Sequence, residues 1–372
     1  MAMPEASPFP FHGPLAPEAV AGRDEEVDTL VDRALTGRPV ALLAPRRFGK
    51  TSLVGRVAWL LETVHGIDTV RVDLLGLSSS ADLAVRLELG LGRLRPGALR
   101  RALESLLAGS QLGVSLVPGV GLTARMGRRD APDPVGTLHA MLDLIRRAAQ
   151  AHPVAVFLDE FHDIGRVHGA DALLRGHAQQ MGQVGWVFAG SEPSMMRMLF
   201  GEGTRPFYGQ AEILELGRLP GDTALRLLVD GFSSTGRDAG DEAGRVVAVA
   251  TGHPQRLMLL ADRLWRCTDP GATADSDGFA AALDDARSLT AAAHEQLFVA
   301  LPASQRSVLR AVAQFGSPWA ADAARFLDLA KGTVTRAVRA LTDQAVLEHT
   351  PEGTWRTVDP LLGDWVERTL PR

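Results

Sequence analysis

One stretch decides the fold of this chain: Ala41-Leu42-Leu43-Ala44-Pro45-Arg46-Arg47-Phe48-Gly49-Lys50-Thr51-Ser52-Leu53. An apolar run leads into a short loop that ends in Gly-Lys-Thr, and a helical pattern follows. This is the order of a phosphate-binding loop between a strand and a helix, G-x-x-x-x-G-K-[ST]. The one departure is Ala44, where glycine is commonest, and alanine is tolerated there if its φ is negative. The alternative is an ordinary strand-to-helix turn.

Each residue type in this loop suits the binding of phosphate. Gly49 lets backbone N–H groups approach a phosphate, and the N-terminus of the next helix adds about half a positive charge. Lys50 is expected to supply charge to the β- and γ-phosphates, and Thr51 a hydroxyl ligand for Mg²⁺. The predicted nucleotide-binding residues of the loop are Pro45, Arg46, Arg47, Phe48, Gly49, Lys50, Thr51 and Ser52.

A second motif follows about a hundred residues later, Val154-Ala155-Val156-Phe157-Leu158-Asp159-Glu160. Its apolar run predicts a strand buried on both faces of a parallel sheet, with the acids at the carboxyl end, where such sheets bind ligands. Asp159 is expected to hold Mg²⁺, and Glu160 to orient or deprotonate the attacking water. His162, two residues further on, is interpreted as a structural loop residue.

Ser191 ends the next buried run, residues 184–190. It has two interpretations that the sequence leaves open. Beside the Asp159 strand it could contact the γ-phosphate or the attacking water. It could equally cap the helix that begins near Pro193.

Composition restricts the class of protein. The 372 residues, 46% hydrophobic and 22% charged, indicate a globular protein of two or three domains. The net charge of −5 means that any DNA contact must come from a local patch. The single cysteine, Cys267, favours a reducing, cytoplasmic setting. No run reaches the roughly 18 apolar residues of a membrane span, and no signal peptide begins the chain, so no membrane partner is expected.

The pattern of strands and helices predicts an α/β fold in three domains. A P-loop αβα parallel-sheet ATPase core, residues 1–216, includes the N-terminal lead-in and an inserted hairpin near 114–125. Strands then stop, and residues 217–298 are expected to form an all-helical lid. Residues 299–372 follow as three short helices and a hairpin, the order of a winged helix-turn-helix domain.

The winged helix has two interpretations. Its third helix carries side chains suited to phosphates and base edges, namely Lys331, Thr333, Thr335, Arg336 and Arg339. However, residues 301–372 contain nine basic and eight acidic residues, a net charge of only +1. That is weak for a DNA-binding domain. Contact with DNA and contact with a protein partner therefore both stay open.

The motifs together resemble the archaeal-type ATPase family, in the STAND branch of AAA+-related P-loop ATPases. The resemblance rests on the two motifs above and on Phe11-His12-Gly13-Pro14, Gly22-Arg23-Asp24-Glu25-Glu26, Ala189-Gly190-Ser191, Gly252-His253-Pro254 and Asp359-Pro360-Leu361-Leu362-Gly363-Asp364-Trp365. It implies that the Gly22-Arg23 segment, and with it Arg23, lies over the adenine, that Ser191 is at the sensor 1 position, and that Pro254 of the lid contacts the nucleotide in a closed ADP state. Gln210 departs from the family, where a basic residue is expected, which argues against an arginine finger there.

The predicted function is a cytoplasmic Mg²⁺-dependent ATPase that hydrolyses ATP slowly and acts as a nucleotide-dependent switch in signalling or regulation. Glu160, Lys50 and Ser191 are the predicted catalytic residues, and Thr51 and Asp159 the predicted metal ligands. ATP or ADP and Mg²⁺ are the expected cofactors. The alternative is an ATP-controlled DNA-binding regulator in which hydrolysis is incidental. A homo-oligomer is a further partner that the sequence leaves open.

Overall fold

The computed structural model describes residues 6–94, 100–101, 114–117, 121–124 and 133–370. The chain forms two compact units. We call Ala16–Ala44 with Lys50–Leu216 the sheet unit. The helical unit comprises Met1–Leu15, Pro45–Gly49 and Gly217–Arg372.

A parallel sheet organises the sheet unit. Its strands are β1 (Val40–Leu43), β2 (Asp68–Asp73), β5 (Val154–Asp159), β6 (Gly185–Gly190) and β7 (Glu212–Glu215). They lie in the order β2-β5-β6-β1-β7, and every described pairing is parallel. Every residue of β1 and β6 is buried, as expected for central strands covered on both faces. The predicted parallel α/β core is therefore confirmed.

The helices of the sheet unit are α1 (Asp24–Leu35), α2 (Lys50–Thr63), α3 (Ser80–Gly92), α4 (Pro134–Ala149), α5 (Ala170–Gln179) and α6 (Pro193–Gly201). Two 3₁₀ turns accompany them, Pro17–Ala19 and Phe161–Arg166. Strands β3 (Val114–Val117) and β4 (Gly121–Ala124) pair antiparallel. The remainder of the hairpin expected near 114–125, residues 118–120 and 125, lies outside the described residues.

An aromatic cluster supports the carboxyl ends of β5 and β6. The ring of Phe161, just after β5, lies 4.7 Å from that of Phe188 in β6 and 5.2 Å from that of Phe207. All three side chains are buried. Because large aromatic residues remove much apolar area from water, this cluster fixes the backbone that follows β5.

The helical unit begins with four helices, α7 (Gly221–Ser233), α8 (Glu242–Ala250), α9 (Pro254–Arg266) and α10 (Ser276–Ala300). Their core takes in Phe9 from the N-terminal segment, whose ring lies 5.5 Å from that of Phe232. Gly231 makes room for this ring, since a Cβ there would collide with Phe9. The lead-in therefore packs against the helices that follow the sheet.

The C-terminal module, as we call residues 303–369, has a core of its own. It comprises α11 (Ala303–Phe315), α12 (Ala321–Leu327), α13 (Lys331–Asp343), β8 (Leu347–His349), β9 (Trp355–Thr357) and α14 (Pro360–Thr369). Strands β8 and β9 form an antiparallel hairpin. The order of three helices and a hairpin is the expected one, while the assignment as a winged helix-turn-helix domain, with DNA or with a protein as its partner, stays a prediction. Across the described parts of the chain, no helix is both long and apolar enough to cross a bilayer.

Candidate active site

The phosphate loop joins β1 to α2. Phe48 donates its backbone N–H to the carbonyl of Pro45 at 3.3 Å. Arg47 and Gly49 both have positive φ, 70° and 86°. A Cβ at Gly49 would meet no other atom within 4 Å, so a lack of space does not require glycine there. The positive φ is what favours glycine at this position. Ala44 is not in the left-handed region, and its N–H donates to the Gly190 carbonyl at 3.2 Å, so the departure from the motif is accommodated.

Lys50 and the two acids after β5 meet directly. Lys50 is the first residue of α2 and is 5% exposed. Its ammonium forms an ion pair with Asp159 and lies 3.3 Å from Oε1 of Glu160. These side chains come into contact because parallel strands bring their carboxyl ends to the same edge of the sheet. Residues 109 positions apart in sequence thus form one charged cluster.

Thr51, near the start of α2, also contacts the end of β5. Its hydroxyl lies 3.2 Å from Oδ2 of Asp159. A hydroxyl and a carboxylate at this separation are the hard oxygen donors that Mg²⁺ prefers. Within the described ranges no cluster of three or more His, Cys, Asp or Glu side chains could hold a metal. The Thr51 and Asp159 oxygens fit Mg²⁺, which takes its remaining ligands from phosphate and water.

Ser191 contacts Glu160 through the backbone. Its N–H donates to Oε2 of Glu160 at 3.1 Å, and the residue is 6% exposed. Glu192, and not Ser191, occupies the N-cap position of α6. The interpretation of Ser191 as the cap of that helix is therefore wrong. Its position depends on β6 lying beside β5 in the sheet.

Glu160 is held as a carboxylate. Burial acts to raise its pKa, but the charge of Lys50, hydrogen bonds from Ser191 and the neighbouring His162 together outweigh burial. The pKa of Glu160 therefore lies below its ordinary value, and the group is ionised at neutral pH. Its backbone is left-handed, with φ of 51°, which is uncommon for a residue with a side chain. An ionised carboxylate in this position can accept a hydrogen bond from water.

His162, interpreted from the sequence as a structural loop residue, lies in the 3₁₀ turn that follows β5. The side chain is 1% exposed, and Nδ1 lies 3.4 Å from Oε2 of Glu160. The only signal in the sequence was its place two residues after Glu160, and a loop position alone does not reveal burial.

The remaining predicted nucleotide contacts are distributed over both units. Arg23 precedes α1, is 7% exposed and forms an ion pair with Glu26 at 2.9 Å. In the loop, Arg46 and Arg47 are exposed and Pro45 is half-buried, while Ser52 is buried in α2. Pro254 is the half-buried first residue of α9. The roles of Arg23 and Pro254 toward adenine and lid closure stay predictions.

The buried loop residue Phe48 packs on His253, the residue before α9. The two rings lie 4.9 Å apart, edge to face, and each side chain is 2% exposed. His253 caps α9, since its Nδ1 accepts the Arg256 N–H at 3.3 Å. Burial lowers the pKa of His253 to about 4. The imidazole is therefore neutral at pH 7 where its ring packs against Phe48.

Arg218 lies at the centre of a second set of contacts in the helical unit. Its guanidinium carbon lies 5.9 Å from the Phe48 ring centroid. It donates to the Thr251 hydroxyl at 2.8 Å, to Glu348 in β8 at 2.6 Å and to the Val358 carbonyl at 2.6 Å. One side chain thus contacts the phosphate loop, the segment before α9 and the C-terminal module.

The candidate DNA contacts lie on α13. Lys331, Thr335, Arg336 and Arg339 are exposed and Thr333 is half-buried. The opposite face of the helix packs in the core of the module through Val334, Ala337, Val338 and Leu341. An exposed polar face is thus available, although Arg339 lies 3.9 Å from Asp343.

Comparisons with known proteins bear on the fold alone. No protein-family model matches the chain, and no curated protein does. The Walker-type ATPase PABY2304 of Pyrococcus abyssi is similar in structure, with a TM-score of 0.70 at 16% identity over 97% of this chain and 99% of that one. This chain has the P-loop ATPase fold. Its C-terminal region is helical, as in the predicted arrangement of a core followed by helices.

Weaker similarities accompany this one. The ORC2 protein of Aeropyrum pernix, solved in ADPNP–ADP complexes, has a TM-score of 0.48 at 14% identity, covering 97% of this chain and 98% of that one. Cdc6p of Pyrobaculum aerophilum has a TM-score of 0.47 at 12% identity, covering 97% and 98%. TM-scores below 0.5 do not establish a common fold.

Proposed function

We propose that the chain binds Mg-ATP, hydrolyses it slowly and acts as a nucleotide-dependent switch, as a member of the archaeal-type ATPase family in its STAND branch. One observation carries the proposal. The ammonium of Lys50 and the hydroxyl of Thr51 lie against Asp159 and Glu160, with the Ser191 N–H on the same carboxylate. These are the groups that phosphoryl transfer needs at one place.

The chemistry follows from where charge develops. Lys50 would give its charge to the β- and γ-phosphates, which compete with Asp159 and Glu160 for the same ammonium. Bound Mg²⁺, held by Thr51 and Asp159, would neutralise phosphate charge. Glu160 would then accept a hydrogen bond from the attacking water and take its proton. Ser191 would keep that carboxylate in place through its N–H.

The switch is supported by contacts inside the helical unit. Phe48 of the phosphate loop touches His253, which caps α9, and Arg218 lies over the Phe48 ring while it bonds β8 and the segment after β9. A change in loop conformation on nucleotide binding would therefore alter packing at the C-terminal module. Such packed contacts favour two discrete arrangements over a gradual change.

Site variants test the ATPase proposal. We expect Lys50→Ala to abolish both ATP binding and turnover, and Glu160→Gln to abolish turnover while binding persists. Lys331→Ala is the matched control, because Lys331 is the other lysine of the chain and lies exposed on α13. Calorimetry with Mg²⁺ and phosphate release are the measurements. Full activity of either site variant would refute the assignment.

Assembly tests the switch. The solution mass measured by size exclusion with light scattering, with ATP, with ADP and without nucleotide, should differ between states if the output is a homo-oligomer. Lys50→Ala should show the nucleotide-free mass throughout. An unchanged mass together with unchanged hydrogen exchange in the C-terminal module would contradict the switch.

A second candidate is an ATP-controlled DNA-binding regulator. The exposed polar face of α13 favours it, since its side chains point away from the module core. Duplex binding should then weaken steeply with salt and be lost in the Arg336→Ala, Arg339→Ala double variant. Arg325→Ala, at an exposed arginine on α12, is the control. Nucleotide-dependent binding of a protein, without any DNA binding, would favour the protein-contact alternative.

A further inference from the structure

His162 is buried beside the carboxylate that we assign to the attacking water. It belongs to the 3₁₀ turn Phe161–Arg166 and is 1% exposed. Nδ1 lies 3.4 Å from Oε2 of Glu160, but the geometry is not that of a formed hydrogen bond, so this nitrogen is buried without a partner. Leaving a buried polar nitrogen unsatisfied costs free energy. A small movement of Glu160 would satisfy it.

Two acids face the far edge of the imidazole. Nε2 lies 3.6 Å from Oε1 of Glu192 and 3.7 Å from Oδ1 of Asp163. Asp163 is itself fixed, because its carboxylate pairs with Arg166 at 2.7 Å and accepts the Gly76 N–H at 2.5 Å. Carboxylate oxygens therefore lie near both ring nitrogens, so a nitrogen that carries a proton has an acceptor within reach.

The oxygens of Glu160 have separate partners. Oε1 faces the Lys50 ammonium at 3.3 Å, while Oε2 accepts the Ser191 N–H at 3.1 Å and faces His162. A triphosphate would attract Lys50 and so weaken the contact at Oε1. The contacts at Oε2 would remain, because Ser191 and His162 are fixed by the backbone of β6 and by the 3₁₀ turn.

We infer that His162 is a positioning residue for Glu160. When Lys50 moves toward the phosphates, His162 donates its Nδ1–H to Oε2 of Glu160. This hydrogen bond keeps the carboxylate oriented toward the attacking water. This inference rests on the proposed ATPase function and deepens it. No covalent bond to His162 forms or breaks. Because His162 acts on the carboxylate and not on the nucleotide, it affects the rate of hydrolysis and leaves ATP affinity unchanged.

Substitutions at His162 in the full chain test the inference. His162→Leu has a similar volume and no donor, whereas His162→Asn brings an amide N–H to the position of Nδ1. We expect His162→Leu to lower kcat about 10- to 100-fold, the effect of a small misplacement of a catalytic group. Its Kd for Mg-ATP, by calorimetry, should match wild type. His162→Asn should recover most of the lost kcat with the same Kd.

The outcomes separate a positioning role from a structural one. Wild-type kcat in His162→Leu would overturn the inference. So would a kcat of His162→Asn as low as that of His162→Leu when both unfold at the wild-type temperature, because the ring would then only fill space. If His162→Leu does not fold, His162→Phe takes its place. Wild-type protein without turnover would remove the proposed function and this inference together. Turnover that is lost in Glu160→Gln but not in His162→Leu would remove this inference alone.

Discussion

Arg256 and Asp359 form a bidentate ion pair that joins α9 to the start of α14. Nε donates to Oδ1 at 2.8 Å, and Nη2 pairs with Oδ2. Asp359 also accepts the Leu361 N–H at 3.1 Å as the cap of α14, and Nε2 of His294 lies 3.1 Å from Oδ2. Burial acts to raise the pKa of Asp359, but Arg256 and His294 outweigh it and hold that pKa well below its usual range.

This pair should contribute measurably to stability. We expect Arg256→Leu to lower the free energy of unfolding by about 2–3 kcal/mol, because it leaves a mostly buried carboxylate without its charged donor. Arg339→Leu is the control, since its pair with Asp343 spans 3.9 Å and its side chain is 85% exposed. The control should cost less than about 0.5 kcal/mol. Urea unfolding measures both, and equal losses would contradict the argument.

His253 should make stability depend on pH. Its pKa is about 4 in the folded chain and 6.5 as the ordinary value. At a pH between these two values the unfolded chain binds a proton at His253 that the folded chain does not bind. The free energy of unfolding therefore falls as the pH falls from about 6.5 to about 4, by up to about 3 kcal/mol. The charged groups that face the ring are Asp359, Arg256 and Arg218. Above pH 7 this group contributes no pH dependence.

The matched variant for this pH dependence is His253→Asn. Asparagine can still accept the Arg256 N–H as a helix cap but does not titrate. The difference in unfolding free energy between wild type and His253→Asn should therefore change between pH 7 and pH 4.5 and stay constant between pH 7 and pH 8. A difference that does not vary with pH would show that the imidazole is not buried as described.

Arg218 should couple nucleotide binding to the C-terminal module, if the proposed switch is correct. We expect ATP to change the hydrogen exchange of β8 and β9 in the wild type and to leave it unchanged in Arg218→Ala. Arg226→Ala, at an exposed arginine of α7, is the control and should respond as the wild type does. An undiminished response in Arg218→Ala, with ATP affinity unaltered, would remove Arg218 from the coupling.

Close packing at Gly185 should exclude any larger residue. A Cβ there would lie 2.6 Å from the Ala34 carbonyl oxygen and 2.7 Å from its Cα, so β6 and the end of α1 must move apart. Gly185→Ala should destabilise by about 1–3 kcal/mol. Gly176→Ala in α5, where a Cβ meets nothing, should be neutral or stabilise by up to about 1 kcal/mol. Thermal unfolding of both variants measures these changes in stability. Similar changes in the two variants would contradict the prediction.

The open choice at Ser191 shows where prediction from sequence stops. A polar residue after a buried strand is compatible with a helix cap and with a ligand contact, because both depend on the neighbours of the strand. Only the strand order, with β6 between β5 and β1, brings its N–H to Glu160. His162 is similar, since its burial depends on how the 3₁₀ turn after β5 packs in the fold, not on a local pattern.

The sequence by itself determined the strand, loop and helix around Lys50, the buried strand that ends in Asp159, and the order of helices and hairpin at the C-terminus. Those features depend on apolar periodicity and on glycine at a positive φ, which are local properties of the chain. The tertiary structure alone decided the contacts of Glu160 with Ser191, 31 residues away, and of Arg218 with Glu348, 130 residues away. Such contacts depend on how parallel strands and packed helices bring distant side chains together, and no local preference encodes that distance.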